Sequence, residues 1–199
     1  AMKFVKKGGR LQAKFPPQLI PNLINQNLQI NKIYLSSNEC FVDIQNESGK
    51  QTTMVSYSTG EVLDIDFNKK FILHRYNEND YNYLFNLKKT NKYKRITFSG
   101  SKVAEKIKTL KDNAEKECKY GLVVYSNIPK LRVEKLEQTN VSSGSDCYLF
   151  DTEKERDSYF QILHNPKVIA LAKNLSYNQT INVKVQSYLI NPSIFEYAS

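Results

Sequence analysis

A chain of 199 residues is long enough to bury one ordinary core or two small ones, and 40% apolar residues with 12% aromatics exclude a disordered chain. Twenty-nine Lys and Arg against twenty Asp and Glu give a net charge of +9, which favours a polyanionic partner. Three widely spaced cysteines (Cys40, Cys118, Cys147), with no CxxC pair and with His74 and His164 standing alone, argue against a zinc site and a disulfide framework and fit a reducing cytoplasm.

In chain order, residues 10–76 read mostly as strands. RLQAKF, QINKIYL, CFVDIQN, QTTMVSYS, EVLDIDF and FILHRY are short runs rich in β-branched and aromatic residues. NESGK (46–50) and Ser58-Thr59-Gly60 are expected as hairpin loops. Pro16, Pro17 and Pro21 confine any helix at 17–28 to a short piece. The spacing predicts helices over 77–89 and 101–117, the second burying Val103, Ile107, Leu110 and Ala114. Strand character returns at 120–127, 130–137 and 146–152. Thr152-Glu-Lys-Glu155 is a capping box opening a helix, Asn165-Pro166 starts another, and the alternation in INVKVQSYLI (181–190) predicts a closing strand. The fold class expected is α/β or α+β, a mixed sheet with several short strands and three to four helices, with a boundary near 67–71. No apolar run reaches the length of a bilayer span and no signal peptide is apparent, so a cytoplasmic protein without a membrane partner is expected.

Charge is segregated along the chain. Residues 3–14 carry Lys3, Lys6, Lys7, Arg10 and Lys14 with no acid. Residues 84–119 hold eleven Lys/Arg against four Asp/Glu, a local +7, whereas 134–157 hold three against seven, a local −4. The densest basic stretch, KKTNKYKR (88–95), interleaves Lys88, Lys89, Lys92, Lys94 and Arg95 with Asn91 and Tyr93. Such a mixture suits phosphate neutralisation with hydrogen bonding or stacking at base edges. Lys102 and Lys106 share a face of the following helix. Asn178 and Gln179 lie in a polar turn between the last predicted helix and strand, and are candidate base readers.

No GxSxG, P-loop, GxGxxG or HExxH motif occurs. Asp64 and Asp66, followed by Lys69, have the spacing of a nuclease metal site, as do Glu115, Glu117 and Lys119 more loosely. A metal-dependent restriction nuclease and a basic protein-interaction domain without catalysis therefore stand as alternative readings.

Two stretches resemble the C-terminal part of adenine-specific DNA methyltransferases from bacterial restriction–modification systems. FVKKGGRLQAKFPPQLIPNLINQNLQINKIYL (4–35) resembles the segment after the catalytic motifs: a Gly-Gly turn, a strand, a connection and another strand. CYLFDTEKERDSYFQILHNPKVIALAKNLSYNQTINVKVQSYLINPSIF (147–195) is similar to the family's ending, an acid-rich helix, a returning helix, a Gln/Asn turn and a strand closing on Pro. The resemblance covers both ends of the chain and leaves the middle unmatched. The family's Gly-rich cofactor turn is missing, and so is its Asn/Asp/Ser-Pro-Pro-aromatic motif; Phe15-Pro16-Pro17-Gln18 keeps only the prolines. The resemblance implies that 1–67 corresponds to the tail of a catalytic domain and 68–199 to a DNA target-recognition region. It implies a double-stranded DNA partner and a catalytic methyltransferase domain or subunit elsewhere. This chain alone is then expected to be inactive, with no cofactor or metal of its own; S-adenosylmethionine would serve a complete methyltransferase. The leading Ala-Met is expected to be a cloning remnant on a piece of a longer protein.

Overall fold

The computed structural model describes residues 5–24, 26, 28–47, 52–66, 71–88, 92–126, 130–139, 144–177 and 179–199. The chain forms two compact units, Ala1–Phe85 and Asn86–Ser199. Residues 71–85 therefore belong with the first unit. The boundary expected at 67–71 falls partly outside the described residues.

The first unit is a five-stranded mixed sheet of β1 (Arg10–Phe15), β2 (Gln29–Leu35), β3 (Cys40–Gln45), β4 (Thr52–Tyr57) and β5 (Val62–Asp66). Its order is β1-β3-β2-β4-β5, with β2 and β4 parallel and the other pairs antiparallel. NESGK is thus not a hairpin loop, because β3 and β4 are not neighbours; residues 48–50 lie outside the described set. Ser58-Thr59-Gly60 does close the β4–β5 hairpin, with Gly60 at φ +109, a conformation that favours glycine. One sheet face is buried. Ile33, Leu35, Val42, Ile44, Val55 and Ile65 pack there, in a core that also takes in the short helix α1 (Ile20–Ile24) and α2 (Glu78–Asn86), the latter through Tyr81 and Leu84.

FILHRY (71–76) is not a strand. Phe71, Ile72 and Leu73 are buried, but the Leu73 carbonyl accepts from the Tyr57 hydroxyl at 2.8 Å and its N–H donates to the Tyr81 hydroxyl at 3.2 Å. Tyrosine hydroxyls thus replace the ladder partner that a buried backbone needs. The two hydroxyls are themselves 2.5 Å apart, and burial pushes Tyr81 up to about 12.

The second unit holds a four-stranded antiparallel sheet ordered β6-β9-β7-β8: β6 (Lys94–Phe98), β7 (Tyr120–Tyr125), β8 (Val133–Lys135) and β9 (Ser145–Phe150). The stretch 130–137 gives only the three residues of β8 before turning into a 3-10 helix. Helix α3 (Val103–Lys116) covers one face, its Val103, Ile107, Leu110 and Ala114 meeting Phe98, Val123 and Cys147. On α4 (Glu153–Ile162), Tyr159 packs against Phe150 with ring centroids 5.3 Å apart. Then come α5 (Pro166–Ser176), α6 (Val183–Leu189) and α7 (Ile194–Ala198). Five of the six residues of β7 are buried, the pattern of a strand covered on both faces.

The stretch 181–190 holds a helix, α6, and not a strand. The Asn182 side chain caps α6 by accepting from the N–H groups of Lys184 and Val185 at 3.0 and 3.1 Å. Ile181, Val185, Gln186, Leu189 and Ile190 are the buried positions, and this spacing is helical. The sequence alternates as well, and the cap decides between the two periods. Among the described residues, no helix is long and apolar enough to cross a membrane.

Candidate nucleic-acid interface

β6 is an edge strand, paired only with β9, so the basic stretch ends on an open sheet margin. Its cations divide into two groups. Lys92 is ion-paired to Glu155, a hydrogen bond that raises its pKa. Tyr93 is a packing residue. Its ring lies 4.5 Å from that of Phe150 and 5.4 Å from that of Tyr159, its hydroxyl donates to Glu155 at 2.9 Å, and burial pushes it up to about 12. Stacking on a base would require that cluster to open. Lys88 and Lys94, by contrast, are exposed. Lys102 is exposed and lies 3.9 Å from Glu105, and Lys106 is exposed with its ammonium on the Ser99 carbonyl. Lys89, Asn91 and Asn178 lie outside the described residues. Gln179 is exposed, its N–H on the Ser176 carbonyl at 2.9 Å.

The acidic segment explains this division. All seven of its carboxylates meet cations: Glu134 meets Arg132, Glu137 and Glu153 meet Arg156, Asp146 meets Arg95, Asp151 meets Lys119, Glu155 meets Lys92, and Asp157 meets Lys135 and Arg156. Folding therefore neutralises part of the +7 stretch against the −4 stretch. Lys88, Lys94 and Lys106 hold no ion pair among the described residues.

A buried polar seam, which the spacing of residues does not announce, joins the margin to the last turn. Asp146 on β9 is 1% exposed. It accepts from the Thr97 hydroxyl at 2.6 Å and the Ser126 hydroxyl at 2.8 Å, and lies 3.9 Å from the Arg95 guanidinium. The Gln186 side chain on α6, fully buried, donates to Ser126 Oγ and to the Ile181 carbonyl, both at 3.0 Å, and accepts from the Tyr148 hydroxyl at 2.9 Å. Arg95, half-exposed at the margin, is thus tied through buried side chains to the turn that carries Gln179. The Asn191 amide donates to the Lys88 carbonyl at 2.9 Å, which anchors Lys88 at the same C-terminal segment. The sequence cue for this seam is an aspartate inside an otherwise apolar strand, SDCYLF.

The nuclease-like candidates occupy two separate places in the chain. Asp64 is exposed on edge strand β5 with Asp66 beside it, and Lys69 lies outside the described residues. Glu115 is on α3 and Glu117 just past its end, both exposed, and Lys119 is paired to Asp151. Among the described residues, no group of three His, Cys, Asp or Glu could hold a metal ion. No protein-family model matches the chain and no curated protein matches its sequence.

Proposed function

We propose that the second unit is a duplex-DNA recognition module of the kind carried by adenine-specific DNA methyltransferases. In this reading the methyl donor S-adenosylmethionine and the transfer chemistry belong to a separate catalytic domain or subunit. The observation that carries the proposal is the seam that ties Arg95 on the open margin to the turn bearing Gln179, beside the exposed lysines. Arg95 lies 3.9 Å from the buried Asp146 carboxylate and keeps its side chain 38% exposed, and an arginine that reads guanine must reach the base edge. Gln179 is the second base reader, and Lys88, Lys94, Lys102 and Lys106 neutralise phosphates. Lys92 and Tyr93 serve the fold beneath them.

A mobility-shift titration against salt tests this. The log of the affinity for duplex DNA should fall linearly with log salt, and Lys88→Ala with Lys94→Ala should reduce the slope by roughly 0.9 for each phosphate no longer neutralised. Arg95→Ala should narrow the gap between preferred and random duplexes. Binding that ignores salt, or a slope unchanged in the double variant, would refute the proposal.

A further inference from the structure

The outward face of the first unit's sheet carries an aromatic pair that the core does not use. Two cross-strand rows run across it: Lys14, Phe41 and Tyr34, then Gln12, Asp43 and Lys32. Phe41 is 45% and Tyr34 38% exposed. Their ring centroids are 6.3 Å apart at an interplanar angle of 53°, so neither ring is covered by stacking on the other. The Lys14 ammonium sits 5.5 Å from the Phe41 centroid, while also reaching Glu39 at 2.6 Å. These residues line an open cleft of about 450 Å³. One carboxylate oxygen of Asp43 in its wall is buried with no hydrogen-bond partner.

We propose that this face is a platform for single-stranded nucleic acid, a site separate from the duplex surface and independent of that assignment. Exposed rings on a sheet offer unpaired bases a π-surface, and flanking cations hold the backbone. Arg10 on edge strand β1 and Lys32 supply the free cations, with Lys14 exchanging Glu39 for a phosphate; Arg10 and Lys14 belong to the acid-free run 3–14. A protein-docking face would be poorer in lysine, whereas here lysines stand beside both rings.

Fluorescence anisotropy of the full chain with labelled single-stranded oligonucleotides at low salt tests the proposal. Single strands are expected to bind, and Tyr34→Ala with Phe41→Ala should weaken them roughly tenfold or more. Lys14→Gln with Lys32→Gln should flatten the salt dependence, a second readout that does not touch the rings. No single-strand binding, or binding undiminished in the ring variant, would overturn the proposal. Self-association that disappears in the ring variant would also overturn it, assigning the face to a second copy of the chain.

Discussion

Gln186→Ala is the most direct probe of the polar seam. The wild-type side chain is fully buried and makes three hydrogen bonds, at 2.9, 3.0 and 3.0 Å. Truncation leaves the Tyr148 hydroxyl, the Ser126 hydroxyl and the Ile181 carbonyl without their partner. Each unsatisfied buried group costs about 1–3 kcal/mol. Ser126 retains Asp146, and a water can enter a polar void of this size, so the net loss should be about 3 kcal/mol. For a domain of this size that lowers the melting temperature by roughly 10 °C. Differential scanning calorimetry measures the shift, and hydrogen exchange over 181–190 should show protection lost there before the strands of the second unit. Because the Ile181 carbonyl anchors the turn, duplex discrimination should fall while the salt slope stays unchanged. A loss below about 1 kcal/mol, well under the cost of two such orphaned groups, would refute the seam as the element that holds α6 and the turn on the sheet.

Arg156, 1% exposed, sits among Glu137, Glu153 and Asp157 and over the Tyr120 ring. Arg156→Leu should cost about 2 kcal/mol in urea unfolding, less than a fully buried ion pair because the carboxylates face water. The hydrogen bond from Lys135 holds Asp157 below the usual aspartate range. Its stabilisation is therefore complete above about pH 4 and disappears as pH falls through the lowered value. Lys135→Gln should differ from wild type by about 0.5 kcal/mol at neutral pH and not at all in strong acid, as followed by unfolding at each pH. Burial pushes the Cys40 and Cys147 thiols up to about 12, while Cys118 is exposed. A thiol reagent at pH 8 should label one cysteine quickly, and mass spectrometry should place the label on Cys118.

The fold was legible wherever one period dominated. β1, β3, β4 and β5 alternate cleanly, β2 does so past its irregularity at Ile30–Lys32, and the four longer helices announce themselves by apolar spacing, a capping box or an Asn-Pro start. Legibility failed where local pattern and long-range partner disagree. FILHRY has strand composition, but two tyrosine hydroxyls from distant positions take up the Leu73 backbone. INVKVQSYLI satisfies both periods, and a single asparagine cap selects the helix. Pairing order was equally hidden, since the parallel β2–β4 ladder skips β3.

The two candidate surfaces differ in what the sequence concealed. For the basic stretch, the charges are visible and their partners are not: Lys92 meets Glu155 across 63 positions, so a count of lysines overstates the free positive charge. For the sheet face of the first unit, the cue lies in plain alternation. In QINKIYL, Tyr34 falls in phase with Lys32, and in CFVDIQ, Phe41 falls in phase with Asp43. An aromatic on the polar phase of a strand is exposed by the geometry of the pleat. Two such residues on adjacent strands, facing each other in register, leave apolar surface in water. Phase within a strand therefore separates a ring that holds this fold together, such as Tyr57 in the buried phase of β4, from the pair left exposed on the sheet face. Total aromatic content cannot make that separation, because it counts Tyr34 and Tyr57 alike.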